Sequence, residues 1–444
     1  MTYEQALAYI HSRNRFGIKL GLDRMRALAA LLGNPQQRYP ALHIAGTNGK
    51  GSTTAIVRTV MEKAGYKVGS FTSPHLSSYC ERLTINGRPI QPERLAALVS
   101  AIQPVVEEAA LDPEIGHPTE FEVGTLLAFK YFAEEQVDLA LFEVGMGGRL
   151  DATNIINPVA CGITHIALDH QEYLGPDLVS IAKEKAGIIK PNCPVVVAPQ
   201  APEALAVFEA TANALQAPLY AVGQAIKNEV IRADLSGTYL RLQWGEEEPV
   251  SLRLNLYGAH QGANAATAFG LLQVLKAKGF SWPARALEEG FAAVTWPGRM
   301  EYLPGPPSIL LDGAHNPDGV TILGQGINRL FSGRPVQLLI GILNNRPVEE
   351  MAALFASALG NNLKQVYATN VPDPKTATTA RIAEAFQKHG VKTVEIPDPT
   401  AALATAQENL APEELLVVTG SLYLIGALRP LIVAECLDDY RCVL

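Results

Sequence analysis

The sequence predicts an α/β protein of two domains, each built on a mostly parallel sheet covered by helices. Three observations carry this reading. The chain has 444 residues, which at roughly 150 residues per domain makes two or three domains, each large enough to bury a core. Short, continuously apolar runs recur along it, most of them separated by amphipathic stretches, and strands of that kind alternating with helices belong to parallel sheets buried on both faces. The composition is 48% hydrophobic and 18% charged, against roughly 25% charged in an average soluble domain, which excludes intrinsic disorder.

Taken in order, Leu42–Ala45 reads as a strand, followed by a glycine-rich loop and by Thr53–Ala64, helical in its spacing and closed by Gly65. Leu139–Val144 is a second strand running into Gly145-Met-Gly-Gly-Arg149. Val159–Ala167, Val195–Ala198, Ser308–Leu311, Val336–Ile342, Val366–Thr369 and Leu415–Thr419 are further strands. From Lys227 to Leu256 alternating residues and polar turns predict a β-rich insert or edge. A helix over Trp282–Ala293 ends at Val294-Thr-Trp-Pro-Gly298, and this Pro-Gly turn marks a domain boundary. The expected division is a P-loop-type, mostly parallel sheet domain over residues 1–296 and a Rossmann-like α/β domain over 297–444.

Charge and cysteines narrow the function. With 36 Lys+Arg against 44 Asp+Glu the net charge is −8, which argues against a general nucleic-acid binder but leaves room for a local phosphate site. The five cysteines (Cys80, Cys161, Cys193, Cys436, Cys442) form no CxxC pair, so neither a disulfide framework nor a zinc site is expected, and a reducing cytoplasm is the default. The first residues lack the basic and apolar regions of a signal peptide, and no apolar run approaches the roughly 18–20 residues that span a bilayer.

The loop Ala45-Gly-Thr-Asn-Gly-Lys-Gly-Ser-Thr-Thr54 sits between an apolar strand and a helix. Such a loop surrounds an anion with backbone N–H groups and the positive end of a helix dipole. Lys50 would add charge over the β/γ phosphates, and Ser52 or Thr53 a hydroxyl for Mg²⁺. The strict GxxxxGK[ST] pattern fails, because Ile44 stands where its first glycine should be and Gly51 separates Lys50 from Ser52. A plain glycine-rich turn would explain the glycines but not the strand, lysine and helix around them. Nucleotide binding is the reading, and it does not by itself define a reaction.

Glu143 closes a buried-type strand, where ligands collect in open α/β sheets, and a carboxylate there is costly to bury unless paired or metal-bound. The next strand candidate delivers Asp169 and His170 to the same edge. Glu143 and His170 together would hold a divalent ion that clamps phosphate oxygens. The helix around Lys183, Lys185 and Lys190 reads, by periodicity alone, as a solvated basic helix end.

With these residues in hand, the chain resembles the folylpolyglutamate synthase and bifunctional dihydrofolate synthase family of the Mur ligase superfamily, from about Tyr3 to Pro430. The motifs that carry the resemblance are His43–Thr53, Thr72-Ser-Pro-His-Leu76, Glu143–Arg149 with Asp151-Ala-Thr-Asn154, Asp169-His170, Glu184–Lys190, Trp296-Pro-Gly-Arg299, Asp312-Gly-Ala-His-Asn316 and Thr419-Gly-Ser-Leu-Tyr423. The resemblance implies an ATP-dependent amide ligase that activates a folate or dihydropteroate carboxylate as an acyl phosphate for attack by L-glutamate. It implies Gly49, Lys50, Gly51 and Ser52 as the phosphate loop, with Lys50 catalytic, and Ser73, Glu143 and His170 as magnesium ligands. Lys185 matches a lysine carbamylated by CO₂ that helps hold a second Mg²⁺, which reverses the surface reading of its helix. Asn264, Arg299 and Asp312 match nucleotide contacts, His315 a catalytic and glutamate- or phosphate-binding position, and Ser421 a further substrate contact. Asp23, Arg24, Arg82 and Phe121 fall where the family builds its folate pocket.

The resemblance also implies a monomer with no nucleic-acid or membrane partner. One departure stands out: Gly341-Ile-Leu-Asn-Asn-Arg-Pro347 lacks the Asp-Lys-Asp often seen after this strand. The nearest rival is a Mur-type ligase acting on a cell-wall nucleotide precursor. Against it, about 40 residues before the phosphate loop leave no room for an extra UDP-binding domain. A nucleotide-dependent switch or folate-binding module is the alternative outside enzymes, and it would make Glu143 dispensable.

Overall fold

The computed structural model of the protein describes residues 1–17 and 21–441; the side chains of Cys436 and Cys442 lie outside those described. Its first sheet has eight strands, in spatial order Arg88–Pro89, Leu83–Ile85, Val68–Phe71, Leu139–Glu143, Ala41–Ala45, Ala160–Ile163, Val195–Val197 and Leu219–Ala221. The last six are mutually parallel, and the first two join as antiparallel strands. Alternate residues go to opposite faces: Ala140 and Phe142 join one apolar cluster while Leu139 and Leu141 join another. This is the double burial that continuous apolar strands require.

Ala41–Ala45 lies between two strands that come later in the chain, with Ile44 beside Glu143 and Ala45 beside Ile163. Whatever follows Ala45 therefore emerges between the carboxyl ends of its two neighbours, the position where open α/β sheets bind ligands. Helices Lys50–Lys63 and Gln261–Ala277 cover one face together with the antiparallel three-stranded sheet Ile226–Asp234, Gly237–Trp244 and Val250–Leu254, which is the expected β-rich insert.

A second parallel sheet occupies the C-terminal third, in the order Glu301–Leu303, Ser308–Leu311, Leu415–Thr419, Val336–Ile340, Leu363–Ala368 and Thr393–Glu395, with only the first strand antiparallel. Some boundaries move. The run Val159–Ala167 is a strand only over Ala160–Ile163; beyond it the chain leaves the sheet and His165 meets Asn48 as an isolated bridge. Val336–Ile342 is likewise a strand only to Ile340. The helix expected from Trp282 begins at Ala284, since Pro283 holds the extended conformation that precedes a first turn. Among the described residues no helix is long and apolar enough to cross a membrane.

Candidate active site

The loop after Ala45 turns through Gly46 and Gly49, with φ of 151° and 93°, and the helix opens at Lys50. Both glycines are required by close packing as well. A Cβ on Gly46 would lie 1.8 Å from Thr164 Oγ1, and one on Gly49 would lie 2.1 Å from Asn264 Oδ1. Lys50 folds back over the loop, its Nζ 3.1 Å from the carbonyl oxygens of Gly46 and Thr47 and 3.9 Å from Glu143 Oε1. A cleft open to solvent starts here and runs between the two sheets.

Glu143, only 5% exposed, ends its strand in this cleft. Burial pushes its carboxyl up to about 7, against the opposing pull of Lys50, Arg299 and the Ser73 backbone amide. Ser73 and His170 line the same cleft. Burial lowers the pKa of His170, so the imidazole is held neutral. A buried carboxylate paired only loosely with Lys50 at 3.9 Å, a hydroxyl and a neutral imidazole are a donor set that suits Mg²⁺ or Mn²⁺. Among the described residues no group of three His, Cys, Asp or Glu side chains is gathered as a metal site.

Lys185 overturns the surface reading of its helix. It is 4% exposed, its Nζ donates to Gly46 O at 2.9 Å, and burial, reinforced by Lys50, pushes its pKa down to about 7. Lys190 is tied to Asn154 Oδ1 at 2.7 Å instead. Below the sheet edge, Asp151 accepts from the amides of Gly145 and Met146 at 3.0 Å each, which fixes the turn that follows Glu143.

The second sheet delivers Arg299, Asp312 and His315 to the opposite wall, and Asn264 stands at the loop. Asp312 accepts from the amides of Met300 and Ala314 at 2.8 and 2.9 Å, so it shapes the turn that carries Arg299. His315 Nδ1 donates to Gly313 O at 2.7 Å, and burial, with Arg346 next, pushes its pKa down to about 4. Its Nε2 lies 3.9 Å from Asp169 Oδ2. Asp169 is also held by Asn316 Nδ2 at 3.2 Å and by an ion pair with Arg346. Although burial raises its carboxyl, Arg346 holds it well below the usual range. Arg346 comes from the loop that lacks Asp-Lys-Asp. Its role was invisible in sequence, because its partner is 177 residues away.

The residues expected around a folate separate into two groups. Phe121 borders the cleft at Gly145, whereas Arg82 is buried, does not line the cleft and lies 3.7 Å from Glu120. The ring of Phe121 packs on Gly145, where a Cβ would fall within 2.6 Å of it. Arg82 Nε donates to His75 Nδ1 at 2.9 Å and its guanidinium lies 4.8 Å above the Tyr79 ring. Arg24 is instead spent within the fold, donating to both Glu122 oxygens at 2.9 and 3.1 Å and to Ile115 O at 2.7 Å. Asp23 is fully exposed and paired with Arg26 at 3.1 Å. Ser421, 3% exposed, accepts from the Tyr423 amide at 3.2 Å at the start of the last helix and does not line the cleft.

A phosphate loop, a buried carboxylate and lysine, and a facing Arg–His wall on a second sheet define a nucleotide-using ligase of the Mur type. Consistent with that class, the Mur ligase middle domain matches residues 44–272 and the Mur ligase glutamate ligase domain matches residues 298–422. The chain is 37% identical over 432 residues to the dihydrofolate synthase/folylpolyglutamate synthase of Bacillus subtilis, covering 96% of this chain and 98% of that protein. It is 36% identical to the folylpolyglutamate synthase of Lacticaseibacillus casei, covering 97% and 98%. Among solved structures, Mycobacterium tuberculosis folylpolyglutamate synthase complexed with ADP superposes with a TM-score of 0.88 at 32% identity, covering 97% and 98% of the two chains. Escherichia coli FolC in complex with DHPP and ADP gives 0.86 at 30% identity, covering 98% of each. The chain belongs to the folylpolyglutamate synthase/dihydrofolate synthase family of Mur ligases.

Proposed function

We propose that this protein is an ATP-dependent amide ligase that joins L-glutamate to a folate-type carboxylate, tetrahydrofolate, dihydropteroate or both. The observation that carries the reading is the single cleft in which Lys50, Glu143 and Lys185 face Arg299 and His315. Relatives that share nearly the full length are named as folate enzymes, which favours a folate acceptor over a UDP-sugar. We divide the chain near Pro297, residues 1–296 holding ATP and acceptor and 297–444 supplying glutamate and nucleotide contacts.

The loop amides of Gly49, Gly51 and Ser52, with Lys50, cradle the triphosphate; Arg299 and Asn264 contact the nucleotide from the other wall. Ser73, Glu143 and His170 would hold Mg²⁺, which when bound neutralises phosphate charge. Lys185 fits carbamylation because its burial favours the neutral amine, the form that adds CO₂, and the product carboxylate would serve a second Mg²⁺. An acceptor carboxylate oxygen attacks the γ-phosphorus, the bond to ADP breaks, and an acyl phosphate forms. The glutamate amine then attacks the carbonyl carbon and loses its proton, and phosphate leaves. Neutral His315 presents Nε2 as an acceptor for the incoming amine or the phosphate. The two walls keep water from the acyl phosphate, and Phe121 and Arg82 give the acceptor an aromatic face and a cation. We place the reaction in the cytoplasm, which suits the free thiols of Cys80, Cys161 and Cys193, and expect a monomer.

The test is ADP release by the purified protein with ATP, millimolar glutamate and either tetrahydrofolate or dihydropteroate. Folate-stimulated release that depends on glutamate is expected. Release indifferent to both acceptors would remove this function.

A further inference from the structure

The helix Pro317–Leu330 starts on the C-terminal sheet, yet its first residues reach the other domain. Its cap, Asn316, donates to Asp169 of the first domain at 3.2 Å. Two residues on, Asp318 Oδ2 accepts from Asn48 Nδ2 at 2.7 Å, and Oδ1 lies 3.4 Å from His165 Nε2. Asn48 belongs to the phosphate loop itself. Its backbone N–H donates to His165 O at 3.2 Å, beside Thr47 N–H to the same oxygen at 2.8 Å. Thr47 Oγ1 closes the set by donating to Ala167 O at 3.1 Å. The loop thus leans on the segment 164–167 through its backbone and Thr47 Oγ1, and on the C-terminal domain through the Asn48 side chain.

We infer that Asp318 is a positioning residue, which sets the shape of the phosphate loop through Asn48 when the C-terminal domain is seated over it. The inference rests on the ligase reading for its catalytic consequence, though not for its geometry. A carboxylate beside an anion-binding loop opposes nucleotide affinity by charge alone, so what Asp318 contributes is position. When the domain is seated the Asn48 amide is pinned from the side opposite the sheet, and the loop amides are aligned before phosphoryl transfer. When the domain lifts, the loop loses that tie while keeping every group that touches phosphate. Misplacing a loop by a fraction of an ångström costs rate more than binding, since positioning is most of what catalyses phosphoryl transfer.

The test compares Asp318→Ala and Asp318→Asn with the unmodified full chain. Asparagine keeps an acceptor oxygen for Asn48 Nδ2 and removes the charge. Asp318→Ala is expected to lower kcat for folate-dependent ADP release roughly 10- to 100-fold, with ADP affinity changed by less than about threefold. Asp318→Asn is expected to stay within about threefold of the unmodified enzyme in both. Combined with Asn48→Ala, the Asp318→Ala loss should fall well short of the product of the two, because both changes break the Asn48–Asp318 hydrogen bond and only the His165 pair is lost by Asp318→Ala alone. Hydrogen exchange with ADP bound gives a readout free of turnover, and faster exchange over residues 46–50 is expected in Asp318→Ala alone. Unchanged exchange there overturns the inference, as does an asparagine variant as slow as the alanine one, or losses that multiply. An unmodified chain with no folate-dependent activity would sink the ligase reading instead, while the exchange arm still decides the role of Asp318.

Discussion

Glu143 and Lys185 are buried ionisable groups of opposite sign, and burial drives both toward neutrality, to about 7 in each case. For Glu143 the folded value lies above the 4.5 of an ordinary glutamate, so its stabilising contribution is whole below that pH and is lost as pH rises toward 7. Above that range the fold carries a buried charge kept for chemistry. Glu143→Gln should therefore raise the melting temperature of the nucleotide-free, chelator-treated protein at pH 8, with the advantage fading by pH 5. Its size is on the order of 1.4 kcal/mol for each pH unit between the two values. The same substitution should reduce ligation by about 10²- to 10³-fold, since the proposed metal ligand, worth several kcal/mol of charge stabilisation, is gone. A pH-independent offset in melting temperature, or retained activity, would contradict this assignment. Lys185→Met should abolish turnover, and density maps from crystals grown at high bicarbonate should show an adduct on the unmodified enzyme's Nζ. A bare, solvent-directed amine there would refute carbamylation. Periodicity could not single out Lys185 from Lys183 and Lys190; what distinguishes it is the carbonyl of Gly46, 139 residues earlier.

At the level of elements, the strands that reach the cleft were legible because they are apolar on both faces and end in glycines or carboxylates. The ends of Val159–Ala167 and Val336–Ile342 were not, since an apolar side chain packs as well on a loop beneath a domain as in a strand. The helix bearing Arg24 shows the converse error, where a cation placed near an expected pocket serves the fold. Glu122 is 3% exposed and caps its own helix, accepting from the Thr119 amide at 2.7 Å while Arg24 neutralises it. Arg24→Ala leaves that carboxylate buried without its cation, and a loss of about 3–5 kcal/mol is expected in denaturant unfolding. The KM for the folate acceptor should stay near that of the unmodified enzyme. A raised KM with unchanged stability would restore Arg24 to the binding surface.

On the scale of the whole molecule, a chain of net charge −8 is proposed to take three anions, ATP, a folate and glutamate. The structure reconciles this by gathering Lys50 and Arg299 at one cleft between two sheets, while Asp169 and Asp318 are engaged by partners from the opposite domain. The two sheets and the motifs were readable from the chain, but their mutual contacts were not. Arg346, in the loop that departs from the family's pattern, supplies a cation to Asp169, and no local signal marks either as half of a pair. Ligation through an acyl phosphate formed in this cleft is tested most directly by oxygen transfer. The acceptor, labelled with ¹⁸O in its reacting carboxylate, is turned over with ATP and glutamate, and the released inorganic phosphate is weighed by mass spectrometry. One ¹⁸O per phosphate, formed in step with the glutamylated product, is the expected result; product formation with unlabelled phosphate would contradict it.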